Sequence, residues 1–139
     1  MILQSTPVLI VPKVEDSEPF FERLGFRRTT EVPHNGTIGF VIMTQDSDAG
    51  GDASLSVMLQ TPEAAAADTG LDEERFPTGG AHLFLTTPDI GHIERVLDGF
   101  EVFLPRRDTF YGARETGWRE PGGNYVTVAQ FAANSPDEA

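Results

Sequence analysis

Along the chain, short apolar or alternating runs are interrupted by two stretches whose apolar residues recur at helical spacing. Residues 7–11 (PVLIV) form an apolar run closed by Pro12, which suits a buried strand with a turn at its end. Phe20, Phe21 and Leu24 share one helical face over residues 17–24. Acidic Glu15, Asp16 and Glu18 stand near the start, where the helix dipole favours them, and Gly25 closes the run. Residues 26–32, 38–44 and 53–60 read as three strands, separated by His34-Asn35-Gly36 and by a polar loop over 45–52. The order is βαβββ.

From residue 61 to 80 the composition shifts to Ala, Asp, Glu, Thr and Gly, with no apolar period strong enough for a core element. This segment reads as a linker carrying a short helix over 63–67. The earlier pattern then restarts. Residues 81–86 read as a strand, Pro88-Asp89 as a helix start, and Ile90, Ile93, Val96 and Leu97 as a helical apolar face. Residues 101–104, 112–119 and 124–131 supply three more strands. The last two are joined by Glu120-Pro121-Gly122-Gly123-Asn124, where proline presets one φ angle and the glycines and asparagine tolerate positive φ. The expected architecture is therefore α+β in a single domain. It has two βαβββ modules (6–60 and 81–131), a linker (61–80) and a flexible acidic tail (132–139). Each module would leave one helix-covered sheet that its counterpart completes.

Two stretches, PVLIVPKVEDSEPFFERLGF (7–26) and YGARETGWREPGGN (111–124), together with the duplication, resemble the vicinal oxygen chelate superfamily. That group includes glyoxalase I, extradiol dioxygenases, fosfomycin-resistance enzymes and bleomycin-resistance proteins. Glu120 stands where the family's hairpin motif carries aspartate. The resemblance implies a cup-shaped mixed sheet with helices outside and a ligand cavity inside. For the bleomycin-resistance branch it also implies a homodimer whose clefts are completed by the second subunit.

Strand alternation assigns faces within that fold. Leu55, Val57 and Leu59 belong under the helix, which leaves Ser54, Ser56, Met58 and Gln60 lining the cup. Leu83, Leu85, Val126 and Val128 are core, and His82, Phe84, Thr86, Tyr125, Thr127 and Ala129 face inward. The parity of 112–119 stays open, because both faces carry mixed residues. The resemblance places metal ligands of the metal-dependent members at Thr6, Ser56, His82 and Thr127, and only His82 is a competent donor. One imidazole with three hydroxyls does not make a divalent site. Gln60, Glu115 or a one-residue slip of register, which would swap every side chain's face, are the remaining routes to one. The reading is thus a protein without metal or other cofactor, with His82 hydrogen-bonded to a strand neighbour.

Charge narrows the partners. Ten basic residues against 22 acidic ones give a net charge of -12, and Lys13 is the sole lysine. Such a field repels nucleic acid and anionic membranes and favours cationic small molecules or basic partners. There is no cysteine, hence no disulfide or thiolate chemistry. No apolar run approaches the roughly 18 to 20 residues that span a bilayer, and residues 1–11 lack a basic leader, so a cytoplasmic location is expected. Ser54 and Ser56 lack a base and acid in recognisable order, and Gly50-Gly51 and Gly79-Gly80 lack the strand and helix of a phosphate loop. His34 and His92 are expected to face solvent.

Binding candidates remain: Phe40, Met58, Phe84, Phe103, Tyr111 and Trp118 as an apolar wall, with Gln60, His82 and Arg114 as polar anchors. The expected function is sequestration of a planar or cationic organic molecule in the cup. A metal-dependent lyase, isomerase or dioxygenase of the glyoxalase I type is the alternative. A partner-binding or regulatory protein with a vestigial cavity is the third.

Overall fold

The computed structural model describes residues 1–46 and 54–132. The loop read at 45–52 therefore lies mostly outside the described residues, as do Gly50-Gly51, the side chain of Ser54 and nearly all of the acidic tail. β1 (Val8–Ile10) leads into α1 (Val14–Arg23), then β2 (Arg27–His34), β3 (Thr37–Asp46) and β4 (Ser54–Gln60). After α2 (Pro62–Thr69) and a single 3-10 turn at Glu73–Arg75 the order repeats. β5 (His82–Thr86), α3 (Ile90–Val96), β6 (Glu101–Asp108), β7 (Ala113–Arg119) and β8 (Tyr125–Phe131) complete it. The strands form two mixed sheets, ordered β1-β4-β3-β2 and β5-β8-β7-β6. In each, the first strand lies parallel to the last of its own module and the other pairs are antiparallel. The α+β duplication expected from the pattern is present, and neither sheet closes into a barrel.

One core serves both modules. Phe20, Phe21 and Leu24 of the first helical segment bury against Val41, Met43, Val57 and Leu59, and the same cluster continues into Leu97, Trp118, Val126 and Val128. Phe20 meets Phe100 edge to face with centroids 5.2 Å apart. Arg23 lies over the Phe100 ring and donates from Nη1 to the Val96 carbonyl at 3.0 Å. Each sheet thus buries its helix-covered side in common material and leaves its other side open.

The two modules are tied at the hairpin 120–124. The buried Glu120 carboxylate accepts from the Gly122 and Asn124 backbone N–H groups, at 2.6 and 2.9 Å, and from Asn124 Nδ2 at 2.8 Å. Asn124 in turn accepts from the Ala81 N–H at 3.1 Å and donates to the Ile10 carbonyl at 3.4 Å. Gly79 N–H donates to that same carbonyl at 3.0 Å. A side chain in the last turn therefore fixes the exit of β1 and the entry to β5.

Three sequence expectations change. Residues 61–80 do contribute to the core: α2 is longer than 63–67, capped by Thr61 Oγ1 on Ala64 N–H, and it buries Ala64 and Ala65. Alanine has too little apolar surface to mark a period in the sequence, yet it lets a helix lie close. β6 runs four residues past 104, through Pro105, because register shifts between Val102 and Leu104 and between Leu104 and Arg107 absorb the irregular residues. Leu55 is 56% exposed rather than core. It pairs with Gln45, whose Nε2 donates to the Leu24 carbonyl at the end of α1, so the helix stops where Leu55 would need cover.

Candidate functional site

The open face of the second sheet is built by alternation along four strands. His82, Phe84 and Thr86 on β5 pair with Tyr125, Thr127 and Ala129 on β8, as expected. Glu115 and Gly117 on β7 stand opposite Ala129 and Thr127. This settles the parity left open in the sequence. Thr116 and Trp118 turn the other way: the Thr116 hydroxyl donates to Glu94 of α3 at 2.8 Å, and Trp118 is 2% exposed in the shared core.

Trp118 and Arg114 therefore do not share the open face with His82 and Phe84. Trp118 packs beneath the sheet, on the side where Thr116 meets α3. Arg114 shares that parity, is largely exposed and ion-pairs with Asp108 at 3.4 Å.

Phe103 does reach the open face, by an unusual route. A side chain at Gly117 would sit 2.6 Å from the Phe103 ring, so the absence of one there lets the ring lie across β7. From that position Phe103 stands edge-on to Tyr125, 4.9 Å between centroids, and to His82, 6.0 Å. Phe84, Phe103 and Tyr111 remain 49%, 39% and 42% exposed. His82 Nε2 is hydrogen-bonded to Thr127 Oγ1 at 2.8 Å, the strand-neighbour role expected of it.

Beside this aromatic group lies a charged cluster that the sequence reading did not assemble. Glu115 is almost fully buried; Arg107 Nε and Nη2 donate to its Oε1 at 2.9 and 2.7 Å, and the Tyr111 hydroxyl donates to its Oε2 at 2.6 Å. Burial alone would raise the Glu115 carboxyl, but the hydrogen bonds from Tyr111 and Arg107 and the charge of Arg107 outweigh it and hold the group below its ordinary value. The same bond to Glu115, with burial and the carboxylate's charge, pushes the Tyr111 phenol up. The signal available in the sequence was the spacing Tyr111, Glu115; Arg107 lay outside the strand as read.

The first sheet presents a different face. Phe40, Ile42 and Thr44 of β3 pair with Gln60, Met58 and Ser56 of β4, and Val8 pairs with Met58. All are partly exposed. At its end a cleft of about 420 Å³ opens between the sheet and α2, lined by Val32, Pro33, His34, Phe40, Gln60, Ala64, Ala67 and Asp68. His34 thus borders a cleft instead of facing bulk solvent, whereas His92 is exposed as expected.

The four positions compared with metal ligands do not form a donor set. Thr6 precedes β1, Ser56 bonds to Thr44 Oγ1 at 3.2 Å within the first sheet, and His82 and Thr127 bond to each other in the second. Among the described residues no group of three or more His, Asp or Glu could hold an ion. One imidazole with hydroxyls supplies too few strong donors for a divalent cation.

Two sheets of this order, each repeated from one βαβββ unit and each open on one side, define the glyoxalase/bleomycin-resistance fold. The chain has that fold. It superimposes with a TM-score of 0.70 and 17% identity on a glyoxalase/bleomycin resistance protein/dioxygenase from Nocardioides, covering 97% of this chain and 89% of that one. It is also similar to TnmS3, an antibiotic binding protein from Streptomyces sp. CB03234, with a TM-score of 0.63, 22% identity, and 95% and 99% covered. A third similar structure is a bleomycin-binding protein complexed with bleomycin, with a TM-score of 0.62, 16% identity, and 94% and 100% covered. No protein-family model and no curated protein matches the sequence. Among the described residues no helix is long and apolar enough to cross a membrane.

Proposed function

We propose that the protein belongs to the metal-free, bleomycin-resistance-like branch of this fold and binds a small organic molecule, aromatic or cationic, on its open sheet faces. The observation that carries the reading is the exposure of Phe84 and Phe103 around a His82 already engaged with Thr127. Apolar rings left in water beside a few fixed polar groups suit a binding site. Their histidine has its Nε2 committed to a hydroxyl. Phe40, Met58 and Gln60 supply a second wall from the first sheet. Within one chain the two open faces do not pack on each other, so a homodimer would complete each cleft by laying the first sheet of one copy over the second sheet of the other. The net charge of -12 draws cationic ligands to it.

The test is calorimetric titration of bleomycin-type cationic glycopeptides, phenazines and related planar aromatics into the dimeric fraction, repeated with Phe84→Ala and Phe103→Ala. Saturable binding that either substitution weakens at least tenfold supports the proposal. No heat and no thermal shift across the panel would sink it. Stoichiometric metal after metal-supplemented purification, lost in His82→Ala, would return the glyoxalase I reading to first place.

A further inference from the structure

The cleft beneath α2 has features that the open faces do not share. Its walls all come from residues 32–68 of one chain, so it needs no second copy. It is formed because α2 lies close on β3: a side chain at Gly39 would sit 2.8 Å from Ala64 Cβ and 2.7 Å from His34 Cβ. Val32, Phe40, Ala64 and Ala67 give it apolar walls. Its volume of about 420 Å³ falls in the range of sites that take one small organic molecule.

Two polar groups converge on those walls. The side chains of Gln60 and Asp68 both line the cleft, and neither has a hydrogen bond or ion pair with another described residue. Asp68 also occupies an unfavourable place on its helix. It stands in the last turn of α2, where the unsatisfied carbonyls make the helix end negative, and no basic residue lies in that turn. Within the cleft lining no cation offsets the Asp68 carboxylate. Lys13 and all the arginines lie outside the cleft lining.

We propose that this cleft binds a compact hydrophobic amine: an aromatic or alicyclic body held between Phe40, Val32 and the alanines of α2, and an ammonium group directed to Asp68. The Gln60 amide adds one adjustable hydrogen bond. The inference goes beyond the open-face reading: it shares Phe40 and Gln60 with the first-sheet wall but places the amine in a cleft that one chain completes.

The experiment titrates 2-phenylethylammonium and its neutral counterpart 2-phenylethanol into the intact protein, following ligand signals by saturation-transfer NMR and affinity by calorimetry. The amine should bind in saturable fashion, with the alcohol and the Asp68→Asn variant each about tenfold weaker, as expected for loss of a charge-assisted hydrogen bond. Ala67→Trp, at an exposed helix position, should fill the cleft and abolish binding while the melting temperature shows the protein folded. Phe84→Ala and Phe103→Ala, on the other module, should leave the amine affinity unchanged. Equal binding of amine and alcohol, an unchanged affinity in Asp68→Asn, or no saturable binding at all would overturn the proposal. Loss of amine binding in Phe84→Ala or Phe103→Ala would overturn it too, by assigning the amine to the open aromatic face. Failure of the open-face reading would appear only in the glycopeptide and phenazine titrations.

Discussion

Replacing Glu120 by alanine tests the joint between the modules most directly. The carboxylate is fully buried and accepts three hydrogen bonds, from Gly122 N–H, Asn124 N–H and Asn124 Nδ2. Stranding a buried donor costs about 1–3 kcal/mol, and bonds to a charged acceptor lie toward the upper end. Three donors at the lower figure give about 3 kcal/mol; water entering the vacated space limits the rest, so Glu120→Ala should destabilise by about 3–5 kcal/mol. Glu120→Gln keeps one acceptor oxygen but turns an amide N–H₂ toward donors, and should lose about 2 kcal/mol. Trp118 is two residues away and buried at 2%, so its fluorescence in a urea titration reports unfolding of the core beside the hairpin. A midpoint shift worth less than 1 kcal/mol in Glu120→Ala would refute the assignment of the turn as the joint. So would a loss equal to that of Glu120→Ala on replacing any exposed glutamate.

Other outcomes follow from single sites. Ser17 Oγ is buried with no hydrogen-bond partner among the described residues, so Ser17→Ala should be neutral or stabilise by up to about 1 kcal/mol, read by the same urea titration. Glu115 has a folded pKa below its unfolded value of 4.5, so its contribution is present above pH 4.5 and lost as pH falls through the folded value. Glu115→Gln should therefore be less stable than the parent at pH 7, and its stability should decline less steeply below pH 4.5 in pH-resolved thermal melts. Gly117→Ala should push the Phe103 ring off β7 and weaken aromatic ligand binding in calorimetry at least tenfold, with destabilisation of about 1–3 kcal/mol from overpacking. Sedimentation velocity over a dilution series should show a dimer that Phe103→Asp dissociates, because a charge on the open face would have to be buried against the second copy.

The sequence made the strand alternation of β4, β5 and β8 legible because Val57 and Leu59, Leu83 and Leu85, and Val126 and Val128 form regular apolar rows. It was silent where geometry replaces pattern. Phe103 reaches the open face through a register shift and a missing side chain at Gly117, and neither leaves a period behind. Trp118 reads as a wall residue because β7 mixes charge and apolar groups on both sides; the bond from Thr116 to Glu94 of α3 and the burial of Trp118 show which side is covered. The cleft was hidden for a related reason. Alanines 64 and 67 resemble linker composition until they are placed against Phe40.

The shared core has a consequence for how the duplication behaves. In a stacked repeat protein each unit contributes its own stability plus a contact with its neighbour, so units can be removed or melted one at a time. Here Phe20 from the first half and Trp118 and Val126 from the second belong to one cluster, with Phe100 packed against it, and Asn124 reaches back 114 positions to Ile10. Each half looks like a copy when its elements are named in order, yet neither owns a complete interior. The protein is a repeat in its topology with one shared interior, so it should unfold as a single cooperative unit, and a chain severed between the halves would have to find itself again before either half was stable.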